Sequence, residues 1–176
     1  FTTTKCYINI IKILMHIYLK NKFLYFHDYK IKCSIGKRGL TRKKREGDLK
    51  TPRGKFKFKL LLYRKDRIRR IRCKIKRKII QKNMGWCDNP NSAYYNQLVK
   101  FSFEKKAEKL YLKKNSYDLI LVLNYNMKPV IKNKGSAIFL HIANKKFSPT
   151  KGCVAIAKRA FIKILPLITK KTYLFI

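Results

Sequence analysis

The chain has 176 residues, 46% of them hydrophobic, which is apolar material enough for one domain with a substantial core and excludes a disordered polyelectrolyte. Forty-five Lys and Arg against eight Asp and Glu give a formal charge of +37. Such a field attracts anionic polymers or lipids, although lysines that merely solvate the surface give the same number.

Residues 1–14 are read as either an over-extended start or a truncated N-terminus, because Met15 stands directly before the first strand-like segment. Tyr7 to Leu19 is apolar with lysine, but it lacks a small-x-small cleavage site and is too short and interrupted to span a bilayer. No signal peptide or transmembrane segment is evident. From His16 to Ile35 apolar residues tend to alternate, most clearly Tyr29, Ile31, Cys33 and Ile35 against Lys30, Lys32 and Ser34, which predicts a hairpin turning at Asn21-Lys22. Gly36 to Gly54 is too rich in glycine and charge for anything but a loop. Within it, Asp48 and Thr51 are expected to bond local backbone as turn residues do.

Lys55 to Tyr63 alternates Phe56, Phe58, Leu60 and Leu62 with lysine until Leu61 blurs the pattern, and it predicts a half-buried strand. Ten of the fifteen residues 64–78 are basic, and Ile71, Cys73 and Ile75 alternate with them. That reads as a strand with a solvated positive face, or as a ridge for a polyanion. Met84 to Asn96 is rich in turn formers and holds the only Trp; Trp86, Tyr94 and Tyr95 are candidates for lining a groove, against the plainer alternative of packing beneath a loop. A short helix is expected over residues 103–111, begun by Ser102 as N-cap. Asp118 to Tyr125 is the most apolar run and too short for an ordinary helix, so a central strand is expected there; Ala137 to Ile142 is a second strand, ending at His141. After Cys153, Ala157, Ala160, Phe161, Ile164 and Leu165 follow helical spacing up to Pro166, and 172–176 can add a closing strand. Cys153 is then expected to stand just before a helix whose dipole favours a thiolate by about 0.3–1 kcal/mol. The fold class is mainly β with short helices, an α+β mixed sheet or sandwich, in one domain over residues 15–176.

Chemistry concentrates in Phe139-Leu-His-Ile-Ala-Asn-Lys-Lys-Phe-Ser-Pro-Thr-Lys-Gly-Cys-Val154. Sulfur attacks a carbonyl as thiolate, and a thiol near its free pKa of about 8.5 needs an imidazole or a cation beside it at neutral pH. His141 and Lys151 are the local candidates. Gly152 lets the chain turn tightly, so that consecutive N–H groups can face an oxyanion. Among the five cysteines, Cys6, Cys33, Cys73, Cys87 and Cys153, there is no C-x-x-C pair and no spacing suited to a tetrahedral zinc site. Neither a disulfide framework nor a metal nor any other cofactor is implied.

His141, Thr150, Gly152, Cys153 and Val154 resemble the signature of the L,D-transpeptidases, the YkuD-like catalytic domains: a His, a variable loop, then Ser/Thr-x-Gly-Cys-Ile/Val. Lys151 and Ala155 stand where the commonest form has a second His and an Arg, so the segment is similar to a divergent, proteobacterial-type branch. Two further blocks carry the resemblance, Lys44-Arg-Glu-Gly-Asp48 with Thr51-Pro-Arg-Gly-Lys-Phe56, and Gly85-Trp-Cys-Asp-Asn-Pro90 followed by Tyr95-Asn96. The resemblance implies a bacterial cell-wall enzyme in which Cys153 is the nucleophile, His141 the general base and acid, and the Gly152 and Cys153 N–H groups the oxyanion donors. Thr150, Lys151, Trp86 and Tyr95 are the expected substrate contacts, and peptidoglycan stem peptides in the cell envelope or periplasm are the expected partners. A hydrolytic version with water as acceptor, and an inactive polyanion-binding protein, stay open. Nucleic acid is not an expected partner, since no recognition helix or base-stacking motif appears.

Overall fold

A computed structural model describes residues 15–102, 104 and 106–176. Residues 1–14, and with them Cys6 and the reading of the N-terminus, lie outside it.

The chain opens with a meander of β1 (Ile17–Lys20), β2 (Phe23–Phe26) and β3 (Tyr29–Ser34). Its first turn is Asn21-Lys22, with φ of 52° and 61°, the pair of positive angles that a two-residue turn needs to match strand twist. A second two-residue turn follows at His27-Asp28. The short β4 (Leu40–Thr41) and β5 (Thr51–Pro52) pair in parallel across the glycine-rich loop.

The long strand β6 (Lys55–Tyr63) has the expected bounds, and it explains its own broken alternation. Where it pairs with β11 (Leu119–Leu123), the register passes from Leu123↔Phe58 to Val122↔Leu60, so Lys59 is an extra residue. Such a bulge exchanges the faces of everything beyond it. Phe56 and Phe58 point into the main core before the bulge and Leu61 after it, while Leu60 and Leu62 turn to the opposite side.

β6 pairs with β11 along one edge and with β14 (Tyr173–Phe175) along the other. From β11 the ladder continues through β12 (Phe139–Ile142), β13 (Val154–Ile156), β3, β2 and β1 to β14, and so returns to β6. The sheet therefore closes on itself. Ile17, Leu24, Phe26, Phe56, Leu121, Leu140, Ile156 and Leu174 fill the interior, and Phe161 and Ile164 of the helix α1 (Lys158–Ile164) join them. β11 is buried on both faces, which is why it reads as an unbroken apolar run. Its outward Ile120 and Val122 lie under a second cluster roofed by three short strands, β8 (Met84–Trp86), β9 (Leu98–Lys100) and β10 (Glu108–Lys109).

Three local expectations are corrected. Residues 71–75 form no strand: the edge of β6 beside them is already taken by β14 and by β7 (Arg77–Ile79), so Ile68 and Ile75 anchor an irregular loop with cations between them. The described residues of the helix expected over 103–111 are not helical, because Glu108 and Lys109 pair with Trp86 and Gly85, and this tertiary ladder outweighs local helix propensity. Cys153 does not precede a helix either. The β-branched Val154 and Ile156 are held in β13 between β12 and β3, and α1 starts only at Lys158, so its dipole is not placed at the sulfur.

Asp118, 1% exposed at the entry to β11, accepts from Arg67 at 2.9 Å and lies 3.5 Å from Lys158 at the start of α1. Asp118→Ala leaves both cations without that partner. It is expected to cost about 2 kcal/mol, read as a lower urea midpoint with an unchanged slope.

Candidate active site

Side chains alternate along a strand, so with Leu140 and Ile142 directed into the barrel, Phe139 and His141 of β12 face the second cluster. β12 and β13 run parallel with Leu140 opposite Val154, which brings Cys153 beside Phe139. The thiol is held there at 9% exposure: the Phe139 N–H donates to Sγ at 3.3 Å and the S–H donates to the Ala137 carbonyl at 3.1 Å. His141 Nδ1 lies 3.0 Å from the Ile142 carbonyl, and the ring meets Tyr117 edge-on at 5.4 Å. The bond to a carbonyl fixes a proton on Nδ1, so Nε2 is the nitrogen that can act as a base. Cys153 and His141 line the same cavity of about 780 Å³, and no hydrogen bond joins them at rest.

Burial favours the neutral form of both groups. It pushes the Cys153 thiol up to about 12, with Glu108 adding to the rise and the Phe139 N–H and Lys44 opposing it. It holds His141 below its usual value, against the pull of the Ile142 and Ser116 backbone. The resting site is a thiol and an imidazole rather than a preformed ion pair. Glu108, raised chiefly by burial, accepts from the Tyr117 hydroxyl at 2.6 Å and lines the same cavity.

The loop before the nucleophile is braced by two threonines. Thr150 Oγ1 donates to the Cys153 carbonyl at 2.6 Å and accepts from the Gly152 N–H at 3.1 Å. Gly152 is therefore not a free oxyanion donor, a correction to the expected pair; the Cys153 N–H forms no hydrogen bond among the described residues. Gly152 has φ +147°, and a Cβ there would lie 3.0 Å from the Lys50 carbonyl, so a side chain would displace the loop. Thr51, fully buried, accepts from the Gly36 N–H at 2.8 Å and reaches the Cys153 carbonyl at 3.5 Å. These are long-range bonds, not the local ones expected of it, whereas Asp48 does bond locally, to the Arg45 and Lys50 N–H groups. Thr51→Val leaves the Gly36 N–H buried without an acceptor. It is expected to lower stability by about 1–3 kcal/mol in thermal unfolding, with a smaller loss of activity than at the thiol.

Thr150 and the exposed Lys151 line the cavity, but Trp86 and Tyr95 do not. Trp86, 4% exposed, packs edge-on against Phe139 and donates to Asn96 at 3.0 Å; Tyr95, 2% exposed, donates to Glu46 and accepts from the Gly135 N–H. Aromatics of that size are worth more beneath the loop than in water. Their service to the site is indirect, through Asn96, which also accepts from the Ala137 N–H at 3.1 Å and so fixes the residue whose carbonyl holds the thiol. Sequence gave no signal for Asn96 beyond its place in the Trp86 block, and none for Lys44 beyond its place before Asp48.

Among the described residues no three His, Cys, Asp or Glu side chains group where they could hold a metal ion, and no helix is long and apolar enough to cross a membrane. A thiol and an imidazole on one cavity wall of a mainly β domain define a candidate thiol-dependent catalytic domain. Comparison with known families agrees: the chain matches the L,D-transpeptidase catalytic domain, YkuD, over residues 13–176, and belongs to that family. The family consists of cysteine-dependent, cell-wall-associated enzymes that act on peptidoglycan peptides. No curated protein and no solved structure matches the chain.

Proposed function

We propose that the protein is an L,D-transpeptidase that cross-links or remodels peptidoglycan stem peptides in the cell envelope through a Cys153 acyl-enzyme, releasing D-alanine. The observation that carries this reading is the single cavity shared by Cys153 and His141, with the sulfur positioned by Ala137 and Phe139. A substrate carbonyl in that cavity draws the S–H away from the Ala137 carbonyl. His141 takes the proton as Sγ bonds to the carbonyl carbon after the third stem residue, and the Cys153 N–H faces the oxyanion. Collapse breaks the bond to the terminal D-alanine, whose amine leaves with the proton from His141. An amine of a neighbouring stem then attacks the thioester, His141 accepts its proton and returns it to the departing sulfur.

Glu46, Asp88 and Glu108 supply three of the chain's eight acids to this one cavity. Lys44, Lys114 and Lys151 line it too, so an amine and a carboxylate of stem peptides each meet an opposite charge there. Thr150 and Lys151 at the rim are the proposed substrate contacts. Incubation with purified muropeptides followed by mass analysis tests the reading. Dimers are the expected product; trimmed monomers mean that water is the acceptor, and unchanged substrate overturns catalysis and leaves a binding protein.

A further inference from the structure

The chain carries 45 Lys and Arg, and nearly all of the described lysines lie exposed or half-exposed at the surface. Lys44 does not: its side chain is 4% exposed and it lines the cavity that contains Cys153. Its stem runs through a slot cut by two glycines. A Cβ on Gly135 would lie 2.9 Å from Lys44 Cγ, and a Cβ on Gly152, the residue before the nucleophile, would lie 3.7 Å from Lys44 Cε. The ammonium is fixed at the end of that slot by the Asp48 carboxylate at 2.6 Å and the Arg45 carbonyl at 2.7 Å. A buried lysine held so firmly costs desolvation that a methionine of similar length would avoid.

We propose that Lys44 is a positioning residue for the nucleophile, acting through Cys153: its stem props the Gly152 turn from behind, and its charge favours the thiolate as it forms. The charges around the sulfur make this cation the one that matters. Glu108 opposes the thiolate, the Tyr117 hydroxyl is turned to Glu108, His141 is held neutral, and Lys151 is exposed to solvent that screens it. Lys44 is the lysine that acts against the raised thiol, and Asp48, itself held below the usual carboxylate range, is its counter-charge.

The inference rests on Cys153 being the nucleophile, so its test reads the thiol and not the reaction. Wild type, Lys44→Met, Lys44→Gln and Asp48→Asn are alkylated with iodoacetamide, which is uncharged, at pH 8, and the rate at Cys153 is followed by peptide mapping. Below its pKa a thiol reacts in proportion to its thiolate fraction, and a more basic thiolate is somewhat more nucleophilic. Loss of the charge is therefore expected to slow labelling about three- to tenfold in both Lys44 variants. Asp48→Asn, which uncovers the lysine, is expected to speed it. A lysine that only props the loop gives the opposite result at position 44, because a loosened turn exposes the sulfur and raises its rate. Labelling of the Lys44 variants at or above the wild-type rate overturns the proposal, as does slower labelling of Asp48→Asn, which stands as the deciding variant if the Lys44 replacements fail to fold. Muropeptide turnover with unchanged labelling sinks this inference alone; the expected labelling pattern without turnover sinks the transpeptidase reading alone.

Discussion

Cys153→Ala is expected to reduce product formation from muropeptides by at least about 10⁴-fold, since the acyl-enzyme is carried on that sulfur. The fold should survive. Alanine removes the sulfur from between the Ala137 carbonyl and the Phe139 N–H, a loss of about 1–2 kcal/mol, and leaves β12 and β13 paired on either side. Circular dichroism and thermal unfolding separate the two effects. Activity that persists in a folded Cys153→Ala protein overturns the covalent mechanism. A shortfall in stability much above that figure means that the thiol is part of the packing, as its place in the second cluster allows.

His141→Ala is expected to cost a factor of the same order, and the double variant little more than either single one, because base and nucleophile act as a unit. A double variant much slower than both would separate them. The pH dependence follows from the environment. The imidazole must be neutral to accept the thiol proton, and burial depresses its pKa, so kcat/KM should fall only as pH drops through a midpoint below the usual histidine value of about 6.5. The same depression means that the unfolded chain binds a proton that the folded one refuses, so the contribution of His141 to stability is present above about pH 6.5 and is lost as pH falls below it. An acid limb above that value would place a partner charge beside the ring.

Where periodicity was local, the sequence was readable. Lys55–Tyr63 showed its strand because lysine and phenylalanine alternate, and Asn21-Lys22 showed its turn. The mainly β class and the Cys153–His141 motif were legible because each is written in contiguous residues. What could not be seen were pairings between distant segments. Nothing in 71–75 announces that the β6 edge is occupied, and nothing in 103–111 announces that Glu108 lies opposite Trp86. The bulge at Lys59 looked like noise in a pattern. Thr51, Asn96 and Lys44 were hidden for the same reason: their partners at Cys153, Ala137 and Gly152 lie between 41 and 108 residues away, where residue type alone cannot point.

The parallel ladder of β12 and β13 places the base and the nucleophile on two strands whose alignment is set by Leu140↔Val154 and Ile142↔Ile156. The segment that joins them carries exposed Lys145 and Lys146 at its tip. The distance between imidazole and sulfur is thus a property of the ladder and not of the chain that connects its ends. Residues can be gained or lost at that tip in the course of descent without moving either group. A search for relatives that demands a fixed count between this histidine and this cysteine will pass over chains that keep the same chemistry.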